Sequence, residues 1–172
     1  MKSYIFLDID GVLHTMHHQH QLYYEHRTAT DEFGALFDPD AVLQLARIVE
    51  VTGADIIIES SYKNLGLKYL LEMWNARQMP GRLIDITPNT LSDKWLDDAT
   101  FHAADETTGP RKGLEIASWL IDHATAADHY VIIDDEPVAL PSQQRHFVLA
   151  DAYFGLTASV ADAAIDILRA SI

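Results

Sequence analysis

Short apolar runs of strand length recur along the chain at residues 4–7, 54–58, 82–86, 130–133 and 146–149. Between most of them lie stretches whose apolar residues are spaced three and four apart, the period of a helix with one buried face. Strand and helix in alternation predict an α/β domain on a doubly wound parallel sheet of about five strands. The helix after the first strand is marked at both ends. Asp38 is its cap, Pro39 sits at the first helical position, Val42, Leu45, Ala46 and Val49 share a face, and Gly53 is the stop. Residues 67–76 carry Leu70, Leu71 and Trp74 at helical spacing, and residues 113–124 carry Leu114, Ala117 and Leu120. A last helix opens at Thr157 and runs to about Arg169 behind a stripe of Val160, Ala164, Ile167 and Leu168. Trp74 and Trp119 fall in these stripes and read as core.

Two stretches break the alternation. Residues 14–34 hold five of the nine histidines, His14, His17, His18, His20 and His26. No fixed spacing among them builds a metal site, so the stretch reads as a polar flap, with Tyr23, Tyr24 and Phe33 as packing residues. Residues 89–110 set Asp93, Asp97, Asp98, Asp105 and Glu106 against Lys94 and read as a polar loop with one helical turn at most. No repeat, low-complexity tract or linker divides the chain, and 172 residues suit one domain over residues 1–172 with a short insertion at about 14–34.

Composition narrows the function classes. With 26 acidic against 12 basic residues the formal charge is −14, a balance that repels a polyanion and argues against strong nonspecific binding to nucleic acid. The absence of cysteine removes disulfides, thiolate zinc sites and cysteine nucleophiles from consideration. The first residues run straight into a strand, and no apolar run approaches the roughly 20 residues that span a bilayer, so a cytoplasmic protein without a membrane partner is expected.

The chemistry gathers at two strand ends. The first strand closes in Asp8-Ile9-Asp10-Gly11-Val12-Leu13 and the fourth in Asp134-Asp135-Glu136. A parallel sheet delivers such ends to one ligand crevice. At least four carboxylates could converge there, and like charges that close stay ionised only if a cation compensates them. Oxygen donors without thiolate favour a hard ion, Mg2+ first.

An apolar strand followed by Asp8-Ile9-Asp10-Gly11-Val12-Leu13 resembles the first motif of the haloacid dehalogenase (HAD) superfamily. The later motifs follow in order: a serine after the second strand, Ser60 or Ser61; a basic residue near a helix start, Lys112 or Arg111; and the acidic pair Asp134-Asp135. A narrower likeness lies in Ser61-Tyr62-Lys63, in Glu115-Ile116 before Trp119-Leu120, and in Gly155-Leu156-Thr157. These look like the HAD domains of Swiss Army Knife RNA repair proteins, which usually show Ser-Trp-Arg where this chain has Ser61-Tyr62-Lys63.

The resemblance implies a Rossmann-like HAD fold with a small cap or none, and a magnesium-dependent phosphatase. Asp8 would be the nucleophile and Asp10 the general acid and base. Ser60 and Lys112 would stabilise the phosphoryl group, with Ser61, Gly11, Lys63 and Arg111 near the substrate. Asp8, the carbonyl of Asp10, Asp134 and Asp135 would hold the ion. The implied partner is a phosphorylated substrate, either a small molecule or a nucleic-acid end. A phosphotransferase, or a non-catalytic metal- or phosphate-binding module with an acidic protein-binding surface, would use the same residue types.

Overall fold

The structure is a computed structural model and describes residues 1–89 and 109–170. The predicted loop at 89–110 lies almost wholly outside the described residues. Five strands form one parallel sheet: β1 (Ser3–Leu7), β4 (Asp55–Ile58), β5 (Leu83–Ile86), β6 (His129–Asp134) and β7 (Phe147–Leu149), in the spatial order β5-β4-β1-β6-β7. Each predicted strand is present. β1 is central, paired with β4 on one side and β6 on the other.

The pleat of β1 sorts its side chains to two cores. Ile5 and Leu7 join Ile56, Ile58, Val131 and Ile133 on one face, covered by α2 (Pro39–Thr52), α3 (Leu67–Ala76) and α5 (Ala158–Arg169). Tyr4 and Phe6 join Ile57 and Ile132 on the other, covered by α4 (Gly109–His123) through Ile116 and Trp119. Helices on both faces of a parallel sheet are the doubly wound arrangement the alternation predicts. The caps of α2 also stand as read: Asp38 Oδ1 accepts from the backbone N–H of Asp40 at 2.9 Å, and Gly53 closes the helix in the left-handed region at φ 64°.

Two expectations change. The stripe read on α4 keeps Trp119 and Leu120 but loses Leu114 to Ile116. Leu114 is exposed, while Ile116 and Trp119 are buried, with Trp119 edge-on to Tyr4 and Phe6 at 5.1 and 5.4 Å. Packing of one large aromatic against two others outweighs burial of a leucine. The stretch at 14–34, expected as a flap, contains helix α1 (Met16–Tyr24) and a two-strand hairpin of β2 (Thr30–Asp31) and β3 (Gly34–Ala35). Thr15 caps α1, accepting from the N–H of His18 at 3.1 Å and donating to Asp38 Oδ2 at 2.6 Å. Tyr23 and Tyr24 are exposed and touch each other rather than the core, whereas Phe33 packs on Tyr69. Among the described residues no helix is long and apolar enough to cross a membrane.

Candidate active site

Strand register builds the site. Leu7 pairs with Ile58 on one side and Ile133 on the other, so Asp8, Glu59 and Asp134 are the next residues of three adjacent strands, level with one another. The ladder continues into them, with the N–H of Asp8 donating to Ile133 at 3.1 Å and that of Glu59 donating to Leu7 at 3.1 Å. By pleat parity all three extend the rows of Phe6, Ile57 and Ile132 on the face covered by α4. Lys112 lies four residues before Ile116 and seven before Trp119, on the helix stripe that meets this face.

Its ammonium therefore lands among the three carboxylates. Lys112 Nζ donates to Asp134 Oδ2 at 2.6 Å and is 3.2 Å from Asp8 Oδ2 and 3.4 Å from Glu59 Oε2. Burial works against the charge on Lys112, but Glu59, Asp8 and Asp134 outweigh it and hold the ammonium well above its ordinary pKa. The carboxylates move the same way for the opposite reason. Burial, and then the neighbouring Asp134, push Asp8 up to about 7, although Lys112 and the N–H of Ile9 at 2.9 Å favour its ionised form. Glu59 is fully buried, its oxygens make no hydrogen bond among the described residues, and burial raises it well above the ordinary range despite Lys112. Asp135 is also raised, by burial and by Asp134.

Above this floor lies a crevice of about 540 Å³ whose wall includes Asp8, Asp10, Gly11, His14, Ser61, Lys112 and Asp135. Gly11 is required twice over: its φ is 78°, and a Cβ there would run into the Asp135 carboxylate. Asp10 Oδ1 and His14 Nδ1 are 2.8 Å apart on the same turn.

The two serines part ways. Ser60 is buried, and its Oγ accepts from the N–H of Tyr62 at 3.0 Å, capping the 3-10 turn Ser61–Leu65, whereas Ser61 is on the crevice wall. The basic candidates separate as well. Lys63 is buried away from the crevice, ion-paired with Glu115 and donating to Thr87 Oγ1 and the Pro88 carbonyl at 3.3 Å each. Arg111 turns to the other oxygen of Glu115 at 3.4 Å. Of these three cations only Lys112 faces the crevice.

The residues present fit a hard dication. Asp8, Asp134 and Asp135 each offer an oxygen within 4.8 Å of the others, and the carboxylates around Lys112 exceed the charge one ammonium neutralises. In the sequence Glu115 stands out only within the narrower likeness, His14 only as one histidine of a polar stretch, and Glu59 not at all. Yet Glu59 carried a signal: it is the charged residue that closes the run Ile56-Ile57-Ile58, as Asp8 and Asp134 close theirs.

An acidic crevice at the carboxyl ends of a doubly wound parallel sheet, with one half-buried lysine at its floor, defines a HAD-type domain, whose class is that of phosphatase-type hydrolases. The chain matches the family described as the HAD domain in Swiss Army Knife RNA repair proteins over residues 4–161, and it belongs to that family. Nothing among curated proteins or among solved structures matches the chain.

Proposed function

We propose that the protein is a magnesium-dependent phosphatase that hydrolyses a phosphomonoester through an aspartyl-phosphate on Asp8. The observation that carries this reading is the Asp8 carboxylate itself: buried at the crevice floor, 3.2 Å from the Lys112 ammonium, and grouped with Asp134 and Asp135.

An oxygen of Asp8 attacks phosphorus as the bond to the leaving oxygen breaks, and the carboxyl of Asp10 gives that oxygen its proton. Asp10, now ionised, takes a proton from water as the water attacks the aspartyl-phosphate. The bond from Asp8 to phosphorus breaks and inorganic phosphate departs. Lys112 offsets charge on the nucleophile and on the phosphoryl oxygens, and the hydroxyl of Ser61 donates to the latter. Ser60 serves by shaping the turn that presents Ser61. Asp8, Asp134 and Asp135, with the carbonyl of Asp10, would hold Mg2+. When bound it neutralises charge that otherwise favours a protonated, non-nucleophilic Asp8.

For the substrate, the family's association with RNA repair supports a nucleotide or the phosphorylated end of a polynucleotide. The charge of −14 favours contact through the end alone, without nonspecific binding along a strand. Phosphate release from nucleotides, phosphorylated oligonucleotides and sugar phosphates, with Mg2+ and with chelator, tests both levels. The wild type should release phosphate only with the metal, and Asp8→Asn should release none. Equal turnover of unrelated sugar phosphates would overturn the nucleotide assignment.

A further inference from the structure

Asp10 must deliver a proton and later recover one, yet its side chain is more than half exposed, at 57%, and a carboxyl so exposed has no packing to choose its rotamer. One group in the crevice does choose it. His14 Nδ1 is 2.8 Å from Asp10 Oδ1, and both residues line the wall together with Asp8. The backbone that carries the imidazole is itself fixed. The Ile9 carbonyl accepts from the N–H groups of Leu13 and His14 at 2.9 Å each, and the His14 carbonyl accepts from the N–H of Gly11 at 2.8 Å. The next residue, Thr15, is buried and held by Asp38 at 2.6 Å. Asp10 and His14 therefore sit at the two ends of one closed turn, which holds their Cα atoms at a spacing that lets Nδ1 meet Oδ1.

We infer that His14 is a positioning residue for acid–base catalysis by Asp10: its Nδ1–H holds Oδ1 and leaves Oδ2 to carry the proton to and from the reacting oxygens. A carboxyl keeps acceptor capacity on one oxygen while the other bears the proton, so the same contact serves both halves of the reaction. The inference rests on the phosphatase reading and adds a residue to it.

The test separates a positioning role from a merely structural one by leaving group. An alkyl phosphomonoester needs its leaving oxygen protonated as the bond breaks, whereas p-nitrophenolate departs without an acid. In His14→Ala, kcat/KM should fall at least about tenfold for glycerol phosphate and less than about threefold for p-nitrophenyl phosphate, since a positioned general acid contributes roughly 10²–10⁴. His14→Asn carries Nδ2 where histidine carries Nδ1 and should recover the alkyl substrate to within about threefold. With p-nitrophenyl phosphate, acid-quenched His14→Ala should also carry more phosphoryl group on Asp8 than the wild type, because recovery of the water's proton is slowed. An equal fall for both substrates, or His14→Asn no better than His14→Ala, overturns the inference and leaves the phosphatase reading intact. A wild type that releases no phosphate from either substrate, nor from the nucleotides and phosphorylated oligonucleotides, overturns both.

Discussion

Two lysines stand on the α4 side of this sheet, Lys63 buried and Lys112 half-buried, and they live in opposite surroundings. Lys63 meets one carboxylate, Glu115, and fills its remaining donors with Thr87 and the Pro88 carbonyl. Burial leaves it below its ordinary pKa even so. Lys112 meets Asp8, Glu59 and Asp134, and is held above its ordinary pKa although burial opposes the charge. Glu115 also takes Arg111 at 3.4 Å, so the first lysine meets a fully neutralised carboxylate and ties the turn after β4 to helix α4. The second is outnumbered by anions and faces a crevice. A buried carboxylate met by cations is architecture; a cation outnumbered by carboxylates beside a crevice marks where a further cation or an incoming substrate completes the balance.

Neutralising each lysine is the strongest way to break this contrast. Lys112→Met should lower kcat/KM by about 10³-fold, the order seen when a donor to a developing charge is removed. Lys63→Met should leave kcat/KM within about tenfold while costing about 3–5 kcal/mol of stability, because Glu115 is left buried and poorly paired. Urea unfolding beside phosphate release reads both, and a double change of Lys63→Met with Glu115→Leu should recover most of that stability.

Adding Mg2+ comes next. Mg2+ at a hundredfold over its Kd should stabilise the wild type by about 2.7 kcal/mol in thermal unfolding, chelator should reverse the gain, and Asp135→Asn should abolish most of it.

A pH series without metal sharpens the same point. Asp8 is raised from 3.8 to about 7 in the folded chain, so the fold holds this proton more tightly than the unfolded chain does. Stability from this group is complete below about pH 4 and is lost as pH rises towards 7, with Glu59 and Asp135 acting in the same direction. Urea midpoints should decline across that window, and Asp8→Asn should flatten the decline.

The smallest effects separate the two serines. Ser60→Ala should cost about 1 kcal/mol through the lost cap. Ser61→Ala should leave the unfolding midpoint in place and lower kcat/KM about tenfold, the scale of one hydrogen bond worth about 1 kcal/mol or more.

What could be read from the chain follows how local the cause is. The strand order of chemistry, Asp8 and Asp10 before Gly11, and Asp134 before Asp135, was legible because strand ends and a glycine turn are written in consecutive residues. So were the caps Asp38, Gly53 and Thr157. Glu59 was passed over because its meeting with Asp8 and Asp134 depends on the register of three strands far apart in sequence. The Lys63 to Glu115 pair spans 52 positions, and no spacing rule reaches that far. On α4 Trp119 was legible as core, but Leu114 was taken for the position that Ile116 fills, because which leucine or isoleucine accompanies the indole is set by where the sheet's Tyr4 and Phe6 lie. Helix α1 was illegible for a simpler reason: it buries only His18 and Leu22, too few positions to set a period.

The central claim is that the carboxylate crowded against Lys112 is the nucleophile. Acid-quenching Asp10→Asn during reaction with p-nitrophenyl phosphate and Mg2+, then mapping phosphoryl groups by peptide mass, tests it most directly. The aryl leaving group spares the need for an acid, while loss of the base delays hydrolysis, so the phosphoryl group should accumulate on Asp8. Release of p-nitrophenol with no phosphoryl group on Asp8, or with one on another residue, would contradict the account.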